Sequence, residues 1–142
     1  MKTHHTSRRH ARGFGLIDGL IALAILAFGL LGMTRLQARA LAQATEAQSR
    51  STAAQFGDEL VSSALVDTAN KACYTLPAAG TCGSTVAKAI ADGWKTRLLA
   101  GLKDAAATAA YDASTGRFRV VITWTGKQTG DTRTLEATTD VR

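Results

Sequence analysis

One acidic side chain, Asp18, lies inside an otherwise apolar run of 20 residues from Phe14 to Met33. A helix of that length spans about 30 Å, the thickness of the hydrocarbon core of a bilayer. A carboxylate is costly in hydrocarbon unless it is paired or reaches the interface, so an acid at this depth points to a function. The simpler interpretation is a carboxylate near a helix N-terminus, which the helix dipole favours by about 0.3–1 kcal/mol.

The other reactive side chains are two cysteines, Cys73 and Cys82. Cysteines on the exported side of a membrane usually form disulfides. We therefore expect a Cys73–Cys82 bridge, which would stabilise a loop this short by about 2–3 kcal/mol. A redox or metal site is not favoured, because the sequence has no Cys-x-x-Cys motif.

All three histidines, His4, His5 and His10, lie within residues 1–13. If that segment is removed, the mature chain has no histidine for general acid–base catalysis or metal binding. The sequence also contains no phosphate-binding glycine loop and no cluster of metal ligands. We therefore expect no enzymatic activity, no metal and no cofactor.

The formal net charge of +6 depends largely on the N-terminus. Residues 1–13 hold four basic and no acidic side chains, and the remainder has 13 basic against 11 acidic. The basic start therefore indicates a targeting segment that stays in the cytoplasm, and the nearly balanced remainder argues against nucleic-acid binding. Arg117, Arg119 and Lys127 lie near Trp124, a combination that can bind single-stranded DNA. We favour instead a solvated face and rim of an edge strand.

Three interpretations compete for residues 1–33. A secretory signal has an apolar core of about 7–15 residues and a small-residue cleavage site, and this run is too long and lacks such a site. A plain signal anchor fits the length but gives no reason for Gly13-Phe14 or Asp18. The third interpretation is a leader that is cut before the apolar run, so that the run stays in the mature protein.

The stretch RGFGLIDGLIALAILAFGLLG, which begins at Arg12, resembles the N-terminus of type IV prepilins. In that family a glycine precedes the cut, a phenylalanine follows it, and a glutamate stands at mature position five. Gly13, Phe14 and Asp18 occupy these positions, with Asp in place of Glu and Gly15 where Thr or Ser is common. The Ala/Leu/Gly-rich helix, the cysteine pair and the late strand are most similar to PilV-type minor pilins.

The resemblance implies roles for these residues. Cleavage by prepilin peptidase after Gly13 would expose Phe14, which would then be N-methylated. Asp18 would pair with the α-amino group of Phe14, on a neighbouring subunit, and so set the register of assembly. Gly29 and Gly32, with Gly15 and Gly19, would let helices approach closely.

Beyond the membrane run, residues 34–70 are rich in helix formers, contain no proline and have Gly57 as their one glycine. We expect the helix to continue to about residue 68, with a possible bend at Gly57. Ser84 is a candidate N-cap for a second helix. The stripe expected to be buried on the first helix is Leu36, Ala40, Ala44, Ala47 and Ala54, and on the second Val86, Ile90, Trp94, Leu98 and Leu102.

The last third changes to the alternating pattern of strands. We expect a leading strand at 109–112, a central one at 118–124 and a return strand at 133–138, with a hairpin loop at 126–130. The predicted fold class is α+β: a long N-terminal helix, half transmembrane and half soluble, packed on a small antiparallel β-sheet head of pilin-like layout. The predicted organisation is a leader at 1–13, a membrane and assembly helix at 14–33, a soluble half-helix at 34–70 and a disulfide-stapled head at 71–142.

The resemblance implies a minor pilin that primes, caps or enters a type IV pilus. Its partners would be other major and minor pilins, prepilin peptidase, the inner membrane and the pilus assembly platform, with nucleic acid not expected. It would first lie in the inner membrane as a single-pass protein with a periplasmic head, and later in the fibre at the cell surface. The alternatives are a type II secretion pseudopilin, a tip adhesin or DNA-uptake pilin, and a generic single-pass anchored protein.

Overall fold

The computed structural model describes residues 14–126 and 130–141. The chain forms a long helix, a short 3-10 helix, a second helix and three strands. The bounds are α1 Phe14–Val66, the 3-10 helix Thr68–Tyr74, α2 Thr85–Gly101, β1 Ala106–Asp112, β2 Arg117–Thr125 and β3 Thr132–Asp140. This is the α+β layout that the sequence predicts, with α1 ending close to the expected residue 68.

The chain divides into two compact units between Leu41 and Ala42. In the first unit, every described side chain from Gly15 to Leu41 is exposed. We call residues 14–41 the apolar segment. The second unit, which we call the head, contains the rest of α1 together with all the other elements.

The buried face of α1 in the head is made mostly of small residues. Its members recur at steps of four, four, three and four residues, as one face of an α-helix requires. They are Ser49, Ala53, Gly57, Leu60 and Ala64.

The stripe predicted for α1 is therefore wrong in its members. Ala44 and Ala47 are exposed and Ala54 is half-buried. Alanine occupies nearly every face of this helix, so the sequence pattern contains little information about which face is buried. The elements that pack on α1 determine the buried face, and it is the face that contains Gly57.

Helix α2 starts where the sequence predicts, because the Ser84 hydroxyl accepts a hydrogen bond from the Ala87 backbone N–H at 3.2 Å. Trp94, Leu98 and Leu102 are buried as expected. Val86 and Ile90 are instead 69% and 45% exposed. A spacing of four residues advances about 40° per step on a helix of 3.6 residues per turn, so the far end of the predicted stripe rotates out of the core. Ala87 and Ala91 occupy the buried positions in their place.

Trp94 attaches α2 to α1. Its indole N–H donates to the Phe56 carbonyl oxygen of α1 at 2.9 Å. The Phe56 and Trp94 rings meet edge to face, with centroids 6.2 Å apart. At the surface next to them Arg97 pairs with Glu59. Trp94 is thus a core residue, as its place on an apolar stripe predicts.

The three strands form an antiparallel meander in the order β1-β2-β3. Alternate residues of β2 are buried, and their partners in β1 and β3 follow the same alternation. The buried set on β2 is Phe118, Val120, Ile122 and Trp124. Arg117 and Arg119 are on the solvated face as expected, but the expectation that they rim an edge strand is wrong, because β2 is the central strand.

The disulfide joins Cys73 at the end of the 3-10 helix to Cys82. Within the loop that it closes, the Leu76 N–H donates to the Ala109 carbonyl oxygen at 2.8 Å, and the Ala109 N–H donates to the Leu76 carbonyl oxygen at 2.7 Å. The loop therefore pairs with the outer edge of β1 at its midpoint. Tyr74, which follows Cys73 in this loop, lies in the core, and its hydroxyl donates to Asp67 at 3.2 Å. Burial of the hydroxyl, together with the charge of Asp67, raises the pKa of Tyr74.

Gly57 lies at a close contact between α1 and the sheet. A Cβ there would be 3.1 Å from Leu135 Cδ2 and 3.3 Å from Ala137 Cβ. The glycine that the sequence suggests as a bend in α1 is instead a point of close approach to β3.

We predict that Gly57→Val destabilises the head by about 1–3 kcal/mol, because the larger side chain overpacks against β3. The matched control is Gly93→Val in α2, where a Cβ would meet only the flexible end of Arg97, at 3.8 Å. Urea unfolding of the full chain in detergent, followed by tryptophan fluorescence, measures both. Equal free energies of unfolding for the two variants would show that close approach at Gly57 is unimportant.

Candidate functional site

The apolar segment is the most unusual surface of the chain. From Leu16 to Leu41, its large apolar side chains, such as Leu16, Phe28 and Leu31, are each more than half exposed. By length and composition, α1 is the one helix among the described residues that is apolar enough to cross a membrane. An apolar surface of this extent marks contact with lipid or with another protein surface, because water is an unfavourable environment for it.

Asp18 is the one ionisable residue between Phe14 and Met33. It is exposed on α1, four residues after the first residue of the helix. Gly13, at which cleavage is predicted, lies outside the described residues.

Four glycines interrupt the bulky side chains of the apolar segment. Around Gly15, Gly19, Gly29 and Gly32 a Cβ would meet nothing within 4 Å. These positions are therefore open to a partner, unlike Gly57, where β3 already occupies the space. Small residues spaced three or four apart allow another helix to approach the backbone closely.

The arginines of the predicted basic cluster are each paired with an acid on the outer face of the sheet. Arg119 donates from Nε and Nη2 to the two carboxylate oxygens of Glu136 at 2.5 and 2.6 Å. These hydrogen bonds lower the pKa of Glu136 and raise that of Arg119. Arg117 Nε lies 3.5 Å from Asp140.

Trp124 is on the opposite face of β2 and is only 3% exposed. It is therefore not an exposed aromatic beside Arg117 and Arg119, and the arrangement that would stack bases is not present there. Lys127, the third member of the predicted cluster, lies outside the described residues.

The turn between β1 and β2 has its own acid, Asp112. Its carboxylate accepts from the Ser114 hydroxyl at 2.6 Å, the Ser114 N–H at 2.9 Å and the Thr115 hydroxyl at 2.9 Å. These donors stabilise the charged form and lower the pKa of Asp112 to about 2. Asp112 is thus a structural residue of the turn.

An ion pair between Glu46 and Arg133 is largely buried between α1 and the sheet. Glu46 of α1 lies 3.0 Å from Nε of Arg133 on β3 and 3.7 Å from Nε of Arg50. The Arg133 contact is an ion pair that is poorly aligned for hydrogen bonding: its Nε and both Glu46 oxygens have no hydrogen-bond partner among the described residues. Gly126 packs against the pair, since a Cβ there would be 3.2 Å from Arg133 Nε.

Sequence reasoning missed this group. The available signal was an arginine on the inner face of β3, opposite Trp124 in the hairpin register, where the alternation calls for an apolar residue. Glu46 itself is one of several polar residues on α1, and nothing local distinguishes it.

Among residues 14–126 and 130–141 no group of three or more potential metal ligands comes together. Comparisons of the chain with protein-family models, with curated proteins and with solved structures give no match.

We predict that Glu46→Gln destabilises the head by about 1–3 kcal/mol, because it leaves Arg133 largely buried without a counter-charge. The pair is partly solvated, which keeps the loss below that of a fully buried one. The control is Glu59→Gln, which removes a carboxylate from the exposed Arg97 pair and should change the free energy of unfolding by less than about 0.5 kcal/mol. Thermal unfolding of both variants in detergent is the measurement, and equal effects would contradict the prediction.

Proposed function

We propose that this chain is a minor pilin: a subunit that is trimmed after Gly13, held in the inner membrane by the apolar segment and then packed into a type IV pilus through the same segment. The observation that carries the proposal is the apolar helix surface that begins at Phe14 and contains a single acid, Asp18, one turn into the helix. A plain anchor has no use for that acid.

Two further features support the proposal. The glycine positions of the apolar segment are open, as helix packing in a fibre core requires. The head is a small α+β unit with a disulfide, a stabilising device suited to a domain exposed outside the cytoplasm. Lipid serves as the partner of the segment before assembly, and neighbouring pilins replace lipid in the fibre.

In this mechanism Asp18 acts on the amine of Phe14 that cleavage exposes. In a low-dielectric environment an amine and a carboxylate attract strongly, and a mismatched register would leave both charges unpaired. Pairing between subunits therefore favours one axial position of each helix over its neighbours. The head takes no part in this step beyond remaining folded.

We predict that Gly13→Glu blocks processing, because the peptidase must accommodate the residue before the scissile bond. The precursor would then keep residues 1–13, whereas the natural chain would begin at Phe14. Thr6→Glu is the matched control, since it adds the same charge to the leader and should be cut normally. Mass spectrometry of the N-terminus decides, and normal trimming of Gly13→Glu would refute the leader assignment.

We predict that Asp18→Asn is trimmed normally but enters fibres severalfold less well, because the side chain keeps its size and loses its charge. Asp18→Glu should restore incorporation. Immunoblots of sheared surface fibres and of membranes give the ratio of assembled to unassembled protein. Equal incorporation of Asp18→Asn would count against charge pairing. Absence of the natural chain from the fibres, with loss of protein secretion on its deletion, would favour the pseudopilin alternative.

A further inference from the structure

A cleft of about 460 Å³ opens between α1 and the β2–β3 end of the sheet. It lies entirely within the head. Basic and polar side chains dominate its wall, together with one indole ring. The lining residues are Arg50, Trp124, Thr132, Arg133, Thr134 and Leu135.

The described ion pairs at this cleft involve more guanidinium groups than carboxylates. Among the described residues, Arg50 and Arg133 pair with the same carboxylate, that of Glu46, which lies 3.7 and 3.0 Å from their Nε atoms. Asp131 is close in the chain to the cleft, but does not line it. Two guanidinium groups against one carboxylate leave an excess of positive charge, and guanidinium forks match the geometry of oxyanions.

The cleft also has a hydrogen-bond donor without an acceptor. The indole Nε1 of Trp124 is shielded from solvent and has no hydrogen-bond partner among the described residues. The other tryptophan, Trp94, gives its N–H to the Phe56 carbonyl. Buried indole N–H groups usually find an acceptor, so the Trp124 donor is an unsatisfied group in the wall of the empty cleft.

We propose that this cleft binds a phosphate group. Arg50 and Arg133 supply the charge, and the Trp124 N–H, which is shielded while the cleft is empty, supplies a neutral donor once a side chain moves aside to admit the anion. Arg50 is the mobile member, since its side chain is 61% exposed and can move aside to admit the anion. Glu46 is the internal competitor that occupies the same cations when the cleft is empty. The site is independent of the proposed role of the apolar segment.

The indole N–H resonances test the site directly. The full chain is labelled with ¹⁵N-tryptophan in maltoside micelles and titrated with inorganic phosphate, against chloride at matched ionic strength. We expect the Trp124 signal, assigned with Trp124→Phe, to shift downfield and saturate as its N–H gains an acceptor. The Trp94 signal is the internal control and should not move.

Two variants change the affinity in opposite directions. Arg50→Gln should raise the apparent Kd about tenfold or more, because it removes a charge-assisted contact. Glu46→Gln should lower the apparent Kd, because the competing carboxylate is gone, and phosphate should then raise the Tm of this variant more than that of the natural chain. Arg97→Gln, which removes the same charge at a distant surface pair, should leave the Kd unchanged.

A second arm identifies the source of the phosphate. The labelled chain in nanodiscs of phosphatidylglycerol, without free phosphate, is compared with the chain in maltoside micelles. A shifted Trp124 signal in the nanodiscs identifies a lipid headgroup, and a shift only with added phosphate identifies a soluble ligand. A Trp124 signal that stays fixed in both arms, or that moves equally in Arg50→Gln, overturns the proposal.

Discussion

The head depends on the short side chains along one face of α1. Sheet and helix surfaces pack at a distance set by the residues between them, and Ala53, Gly57 and Ala64 leave room for larger side chains from the other elements. Leu135 fills the space beside Gly57, and Phe56 receives both the ring and the N–H of Trp94. Most of the bulk of the core thus comes from α2, the 3-10 helix and the sheet, while α1 contributes mainly small side chains together with Leu60.

The same helix behaves in opposite ways along its length because its surroundings differ. In the head, the space beside Gly57 is already occupied by side chains of β3. In the apolar segment, glycines are open and large side chains are exposed. In the proposed assembly role, the head keeps its own fold and the apolar segment interacts with lipid or with other subunits.

The charges of the head follow a consistent pattern with one exception. On the outer face arginines and acids meet one to one across strands, where solvent screens them and their contribution to stability is small. Between α1 and β3, Glu46 and Arg133 are largely buried, and Glu46 has a second partner in the exposed Arg50. Charges that solvent screens less interact more strongly, and the proposed phosphate site uses these two arginines.

The sequence by itself determined the long helix, the N-cap at Ser84, the burial of Trp94 and the three-stranded meander, because local propensity and periodicity encode them. It also identified the cysteine pair that forms the bridge. It did not determine which face of α1 is buried, since alanine on every side leaves no periodic signal, nor that Val86 and Ile90 rotate out of the core. Only the tertiary structure brought Glu46 to Arg133, because the separation of 87 residues between them is closed by packing. Local sequence patterns do not encode a contact between residues so far apart in the chain.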